Sequence, residues 1–168
     1  LEMLGRVDVV TFDKTGTLTT GHPTITDELR VCEDDSHEHN GLGYAASVEK
    51  HSSHPLARAL VAEAAAQDLA IDFSTDVTVI NGRGITGQVN GRRVTVASHG
   101  YFDEKVPHPE AICLDADRLA AEGKTVMMVC HDDAVCSIFG VADAPRAESA
   151  EVLSELRAAG VHTMMLTG

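Results

Sequence analysis

The chain has 168 residues, of which 13 are basic and 26 acidic, so its formal net charge is −13 at pH 7. This acidity excludes a general nucleic-acid binder, because a phosphate backbone is bound mainly by Lys and Arg side chains. Hydrophobic residues make up 43% of the chain, which is enough for a buried core. No apolar run approaches the ~20 residues needed to cross a bilayer, so we expect a soluble chain of one domain, or one small domain with part of another.

Both ends of the chain have the pattern of an α/β protein. Residues 7–12 form a short β-branched run that predicts a buried strand, and a polar, turn-rich stretch follows at 14–20. Near the other end, Pro145 is predicted to open a helix that Gly160 closes, and residues 161–166 predict a final buried strand. We therefore expect parallel strands separated by a helix in these two segments.

The middle of the chain predicts helices and antiparallel strands. Helical patterns occur over three stretches, 43–50, 55–69 and 109–122. Strand-like runs occur over five stretches, 77–80, 85–89, 93–97, 125–130 and 135–142. The pair Asn90-Gly91 favours a type I′ hairpin turn, since both of its central positions need a positive φ.

The order of these patterns predicts one domain interrupted by another. We assign residues 1–24 and 137–168 to an incomplete α/β domain, and residues 25–136 to an inserted antiparallel α+β domain with flanking helices. The chain stops at Gly168, directly after a predicted buried strand, which is typical of a fragment of a longer protein.

The strongest chemical signal is the heptapeptide DKTGTLT at 13–19, which begins where the first predicted strand ends. Ligands bind at the carboxyl ends of strands in open α/β sheets. There the Asp13 carboxylate can attack a phosphoryl group, while Lys14 adds charge and the backbone N–H groups of the loop hold the phosphoryl oxygens. Many aspartate-based phosphatases carry a second acid two residues after the nucleophile. Here that position is Thr15, so an acyl phosphate is expected to persist.

This heptapeptide is the signature of P-type ATPases, and three further elements extend the resemblance. Residues 49–55, EKHSSHP, resemble the E-x-x-S-x-H-P element of heavy-metal (type IB) P-type ATPases. Residues 82–85 resemble their G-x-G element, and residues 166–168 resemble the start of their T-G-D motif. Over essentially its whole length, the chain thus resembles the nucleotide-binding domain of these ATPases, inserted in an incomplete haloacid dehalogenase (HAD)-like phosphorylation domain.

The resemblance implies ATP and Mg²⁺ as cofactors. The catalytic residues that it implies are Asp13, Lys14, Thr15, Thr17 and Thr167, with Asp13 and the Thr15 carbonyl as Mg²⁺ ligands. The nucleotide-binding residues that it implies are Glu49, Ser52, His54, Pro55, Gly82, Gly84 and Ser98. Ser98 stands near the position of a family Asn. The Asp of T-G-D and later Mg²⁺-site elements are missing, so the fragment is expected to bind nucleotide without efficient turnover.

Elementary chemistry supports the nucleotide assignment. Pro55 at a helix start makes His54 the expected N-cap residue, and the positive helix end favours a neutral imidazole that can pack on adenine. Glu49 can accept a hydrogen bond from the exocyclic amine of the base. Gly82 and Gly84 lack Cβ atoms, so a planar base can approach their strand edge closely.

The implied parent protein is a metal-translocating ATPase at the cytosolic face of the cell membrane. Its implied partners are ATP and ADP, the transported heavy-metal cation, and the membrane and actuator domains of the same protein; no nucleic-acid partner is expected. The D-x-x-R sequence at 143–146 resembles zinc, cadmium and cobalt exporters more than copper exporters. We expect Arg146 either to contact phosphate or to form a salt bridge at a helix start.

Two alternatives stay open. The first is a HAD-type aspartate-nucleophile phosphatase, against which Thr15 argues. The second is a non-enzymatic metal-binding module that would use His37, His39 and the cysteines, although a solvated acidic loop is the simpler interpretation of that segment. The four cysteines form no Cys-x-x-Cys pair and are expected to be buried, reduced thiols.

Overall fold

The fold is described by a computed structural model that covers residues 7–31 and 41–166. By their internal contacts, these residues form two compact units. The smaller unit contains the described residues up to Pro23 and from Asp143 onward, and the larger unit is Thr24–Ala142. No helix within the described ranges is both long enough and apolar enough to span a membrane.

The unit divisions differ from the predicted domain boundaries at 24/25 and 136/137. The larger unit extends to Ala142 because Ser137, Ile138 and Phe139 are all buried in its interior. A boundary placed at 136/137 would cut through this packed strand.

The smaller unit confirms the predicted parallel pairing. Strand β1 (Val9–Asp13) pairs in parallel with β8 (His162–Leu166), the last strand of the chain, so that Asp13 lies opposite Leu166. Helix α5 (Ala147–Ala158) precedes β8. Pro145 does not open this helix as predicted; it ends the preceding strand, and Arg146 is the N-cap residue.

The larger unit is built on a six-stranded sheet. In spatial order its strands are β2 (Thr19–Arg30), β7 (Ala134–Pro145), β6 (Thr125–His131), β5 (Arg92–Ala97), β4 (Gly84–Val89) and β3 (Ser74–Ile80). The successive pairings from β3 to β7 are antiparallel, as predicted. Asn90 and Gly91 join β4 to β5 with φ values of 51° and 78°, which confirms the predicted hairpin turn.

Helices cover both faces of this sheet. They are α1 (Gly41–Glu49), α2 (Pro55–Ala66), α3 (His99–Lys105) and α4 (Glu110–Ala121). Along β6, Met127 and Val129 belong to the core formed with α1 and α2, whereas Met128 and Cys130 belong to the core formed with α3 and α4. Because successive side chains of a strand point to opposite faces, the apolar run of β6 reflects burial on both sides.

Two elements were not predicted. Strand β2 contains Gly21 and Pro23 and bears several polar residues, so its sequence lacks the apolar run of the other strands. Helix α3 has only seven residues and contains Gly100, which is a weak helix former.

Candidate nucleotide and phosphoryl site

A cavity of about 340 Å³ in the larger unit brings together residues from four separate stretches of the sequence. Six of the seven predicted nucleotide-binding residues line it: Glu49, Ser52, His54, Gly82, Gly84 and Ser98. Pro55 is not part of the cavity lining and instead occupies the first turn of α2. The volume is within the range of small-molecule sites.

Much of the remaining wall is apolar, and the sequence analysis did not foresee it. The apolar side chains come from α2 and several strands: Leu56, Val79, Ile80, Ile85, Val126 and Met127. An apolar wall with a few polar groups suits an aromatic ring that carries hydrogen-bonding edges. These residues had no separate signal in the sequence, because core residues and wall residues have the same apolar character.

Glu49 provides a buried carboxyl group in the cavity wall, with only 7% of its surface exposed. Burial raises the pKa of Glu49, and a hydrogen bond with Ser52 opposes that change only in part. The backbone N–H of Ser52 also donates to the Glu49 carbonyl oxygen, at 2.8 Å. Glu49 is therefore held at the end of α1 by the turn that leads to α2.

His54 caps α2 as predicted. The His54 Nδ1 atom accepts a hydrogen bond from the backbone N–H of Leu56 at 3.2 Å. The backbone N–H of His54 donates to the Ser52 hydroxyl at 3.3 Å. The Nδ1 lone pair is thus engaged by the helix start, which fixes the orientation of an otherwise exposed ring. The ring belongs to the cavity lining, where a planar base can stack on it.

The two glycines have backbone reasons for lacking a side chain. Gly82 adopts a φ of 69° in the turn that the Arg83 N–H closes by donating to the Ile80 carbonyl oxygen. Gly84 lies opposite Ala97 on β5, and a Cβ atom there would overlap the carbonyl oxygen of Val96. The tight β4–β5 contact, rather than the approach of a base alone, therefore accounts for Gly84.

The predicted phosphate-accepting loop lies in the smaller unit. Asp13 ends β1, and the exposed residues Lys14, Thr15, Gly16 and Thr17 follow it. Gly16 turns the chain with a φ of 78°, and its N–H donates to the Thr19 hydroxyl at 3.1 Å. The Asp13 carboxylate is thus presented at the carboxyl end of a parallel strand, which is the usual ligand-binding end of such sheets.

Two residues of the returning segment support this loop. Arg146 donates from Nε to the Thr19 carbonyl oxygen and from its terminal nitrogen to the Gly16 carbonyl oxygen, each at 3.0 Å. The sequence analysis expected Arg146 to contact phosphate or to form a salt bridge at a helix start. The observed contacts are instead hydrogen bonds to backbone carbonyl oxygens of the loop.

Asp143 accepts hydrogen bonds from the hydroxyl groups of Thr19 and Thr20 and from the N–H groups of Gly21 and His22. Partial burial raises the pKa of Asp143, but these four bonds outweigh that effect, so its pKa lies below the usual value. Sequence spacing gave no signal for this network, because its partners are more than 120 residues apart.

Some predicted residues lie outside the described residues. Thr167, proposed as a phosphoryl contact, is one of them, and His37, His39 and Cys32 of the acidic segment are the others. Of the remaining cysteines, Cys130 and Cys136 are buried as expected, whereas Cys113 is half-buried.

Known proteins resemble this chain in sequence and in fold. A family model for haloacid dehalogenase-like hydrolases matches residues 7–168. The zinc/cadmium/lead-transporting P-type ATPase of Escherichia coli is 41% identical over the whole chain, which covers 22% of that protein. A probable copper-transporting ATPase of Synechococcus elongatus is 36% identical over the whole chain, which again covers 22%. The crystal structure of a zinc-transporting PIB-type ATPase matches with a TM-score of 0.81 and 40% identity over 99% of this chain and 26% of that one.

The chain belongs to the haloacid dehalogenase-like hydrolase family. Within it, the resemblance to the phosphorylation and nucleotide-binding domains of heavy-metal P-type ATPases is confirmed. The chain spans about a fifth of the length of the curated relatives it matches. The preference for zinc, cadmium and cobalt over copper is not confirmed, because relatives named for both kinds of metal match the whole chain.

Proposed function

We propose that this chain is the ATP-binding and phosphorylation portion of a heavy-metal-translocating P-type ATPase. The larger unit binds the nucleotide, and Asp13 of the smaller unit accepts its γ-phosphoryl group. The observation that carries the proposal is the cavity, because it gathers six residues that the sequence motifs had marked independently.

The adenine base occupies the cavity, with His54 stacked on one face and the apolar wall around it. The Glu49 carboxyl accepts a hydrogen bond from the exocyclic amine, a contact that a purine with a carbonyl at that position cannot make. Ser52 and Ser98 offer hydroxyl groups at the same cavity.

In the chemical step, a carboxylate oxygen of Asp13 attacks the γ-phosphorus of ATP. A new oxygen–phosphorus bond forms, the bond from the γ-phosphorus to the bridging oxygen breaks, and ADP leaves with the bonding electron pair. Lys14 and the N–H groups of the loop stabilise the charge on the transferred group, with Thr17 and Thr167 as further hydrogen-bond donors. Thr19, Asp143 and Arg146 keep the loop backbone in place.

Mg²⁺ suits the oxygen donors present at this loop. The Asp13 carboxylate and the Thr15 carbonyl are hard oxygen ligands, and this ion usually takes only one or two protein carboxylates together with waters and phosphate oxygens. When bound, the ion neutralises negative charge on the phosphoryl group.

In the parent protein, the phosphorylation cycle drives a metal cation across the membrane from its cytosolic side. We propose a divalent cation of the zinc, cadmium or cobalt kind as the cargo, in preference to copper. The support for this preference is the D-x-x-R sequence at 143–146 and the higher identity to the zinc/cadmium/lead transporter, 41% against 36%.

Phosphoryl transfer to Asp13 is tested with the full-length transporter that the proposal implies. Supplied with its cation and with ATP labelled in the γ-phosphate, the protein should take up an acid-stable, hydroxylamine-sensitive label. Asp13→Asn should abolish this label, whereas Asp8→Asn, the same chemical change before the start of β1, should retain it. Persistent acyl-phosphate label in Asp13→Asn would refute the assignment.

A further inference from the structure

Four side chains with metal-ligating atoms meet in the larger unit, away from the nucleotide cavity. His99 and Asp103 lie one turn apart on α3, His108 lies in the connection between the helices, and Cys113 lies in the first turn of α4. One ligand atom of each residue lies within 4.8 Å of those of the other three. We call this group the α3–α4 cluster.

The spacing within the α3–α4 cluster is close to that of a tetrahedral metal site. Ligand atoms around a tetrahedral Zn²⁺ are roughly 3.3–3.7 Å from one another, given bond lengths of about 2.0–2.3 Å. The Asp103 Oδ1 atom lies 3.2 Å from His99 Nε2 and 3.3 Å from His108 Nε2. The Cys113 Sγ atom lies 3.3 Å from His108 Nε2 and 3.8 Å from Asp103 Oδ1. Four of the six distances between ligand atoms are thus already close to those of a tetrahedral site, and the other two are within 4.8 Å.

The hydrogen bond made by His108 on its outer side leaves the lone pair of its other ring nitrogen directed into the cluster. His108 Nδ1 lies 2.7 Å from the Val106 carbonyl oxygen and therefore acts as a donor there. In a neutral ring, His108 Nε2 then has a lone pair that accepts from the Cys113 thiol and also faces Asp103 Oδ1, which is another acceptor. A metal ion would replace the thiol proton and bind all three atoms. The His108 side chain is only 4% exposed, so water cannot readily separate the two atoms.

His99 also has a ring nitrogen close to the other residues of the cluster. Its Nε2 atom is buried and has no hydrogen-bond partner within the described part of the chain, although Asp103 Oδ1 is nearby. A buried polar atom without a partner is costly unless a ligand satisfies it. A cation at the centre of the cluster would satisfy His99, His108 and Asp103 together.

We propose that the α3–α4 cluster binds a divalent transition-metal ion of the Zn²⁺ class. Imidazole nitrogens with a thiolate favour such an ion over Mg²⁺ or Ca²⁺, which prefer oxygen ligands. The surroundings also match a metal site: the Val106 carbonyl orients His108, and Asp117 Oδ1 lies 3.8 Å from His99 Nδ1, on the outer side of that ring. This site is distinct from the Mg²⁺ ligands proposed at Asp13 and from any cargo site in a membrane domain.

Calorimetric titration of the reduced 168-residue chain with Zn²⁺ tests the proposal. Excess Mg²⁺ in the buffer occupies simple carboxylate sites. We expect one Zn²⁺ per chain with a Kd below about 1 µM. Cys113→Ser and His108→Ala should each weaken binding by at least about tenfold, because each removes one ligand. The double change His37→Ala with His39→Ala should leave the affinity unchanged, since these histidines are not members of the cluster.

Cobalt substitution gives a readout that does not depend on affinity. The Co²⁺-loaded wild-type chain should show a thiolate-to-cobalt charge-transfer band, and Cys113→Ser should lose that band while retaining the far-ultraviolet circular dichroism of the wild type. A Zn²⁺ affinity unaffected by both cluster variants, or lost in the His37/His39 variant, would overturn the proposal. So would a Co²⁺ complex of the wild type without thiolate absorption.

Discussion

Asp143 accepts a hydrogen bond from the hydroxyl group of Thr19, which precedes it by 124 residues in the sequence. The Thr19 hydroxyl in turn accepts from the N–H of Gly16, within the loop that follows Asp13. The first segment of the smaller unit is therefore joined to its returning segment by hydrogen bonds to a charged group, immediately beside the proposed phosphoryl acceptor.

Asp143→Asn should lower the free energy of unfolding by about 1–2 kcal/mol at pH 7, because hydrogen bonds to a charged group are replaced by weaker or mismatched ones. The pKa of Asp143 is lower in the folded than in the unfolded chain. Its contribution is therefore fully present above the unfolded pKa and is lost as the pH falls through the folded value. Urea unfolding of both proteins should show a constant difference from pH 7 to about pH 5 and a shrinking one below about pH 4.

A matched control for Asp143→Asn is Glu151→Gln, which removes one charge from an exposed residue of α5. We expect this control to change stability by less than about 0.5 kcal/mol. Equal effects of the two substitutions would mean that net charge, and not the Asp143 network, determines the result.

His54 has two separable roles, as the cap of α2 and as the proposed stacking partner of adenine. His54→Ala should lower the free energy of unfolding by about 1 kcal/mol through loss of the cap. It should also weaken ATP binding several-fold through loss of the ring. His54→Asn restores a good N-cap and should recover the stability without recovering the affinity. Recovery of ATP affinity by Asn, measured by calorimetry, would argue against stacking.

Glu49 makes the stability of the larger unit depend on pH. Burial raises the pKa of Glu49, so the folded chain holds the proton of the Glu49 carboxyl group more tightly than the unfolded chain does. The stability associated with the protonated form is fully present below the unfolded pKa and is lost as the pH rises through the folded pKa. Glu49→Gln should therefore match or exceed the wild-type stability at pH 7, with the difference disappearing near pH 4.

The same substitution should reduce base selectivity. We expect the wild-type chain to bind ATP about tenfold more tightly than ITP, because the Glu49 carboxylate accepts from the amine of adenine and repels the carbonyl of hypoxanthine. The amide of Glu49→Gln can pair with either base, so the preference should fall to about threefold or less. An unchanged ratio of the two affinities would exclude the contact between Glu49 and the base.

The two cavity glycines should respond differently to Ala. Gly84→Ala places a Cβ atom against the Val96 carbonyl oxygen, so strand β5 must shift, and we expect a loss of about 1–3 kcal/mol. Gly82→Ala meets no atom within 4 Å and costs only the strain of a positive φ, about 1 kcal/mol. Thermal unfolding compares the two, and a Gly84→Ala protein as stable as Gly82→Ala would show that the strand contact relaxes freely.

Local chemistry made much of this architecture predictable. Asn90-Gly91 admits the positive φ values of a tight hairpin, and the apolar run before Asp13 marks a strand that ends at Asp13. That strand is exposed or half-exposed at every position and not buried as predicted. Five polar or glycine residues of the cavity came from two short motifs whose members lie close in sequence, whereas its apolar wall carried no such signal.

The features that escaped prediction depend on tertiary contacts. Strand β2 is stabilised by pairing with β7, although its own sequence has little strand character. The Asp143–Thr19 hydrogen bond and the α3–α4 cluster join residues from different elements. Because α3 itself was not predicted, the one-turn spacing of His99 and Asp103 carried no meaning in the sequence.

The central claim is that the larger unit holds an adenine nucleotide in the cavity at His54 and Gly84. An ATP titration followed by amide NMR shifts of the 168-residue chain tests this claim most directly. We predict saturable shifts at His54, Gly82, Gly84 and Ser98, with a Kd of about 0.1–1 mM. Unchanged shifts at these residues in millimolar ATP, or saturable shifts confined to the smaller unit, would contradict the claim.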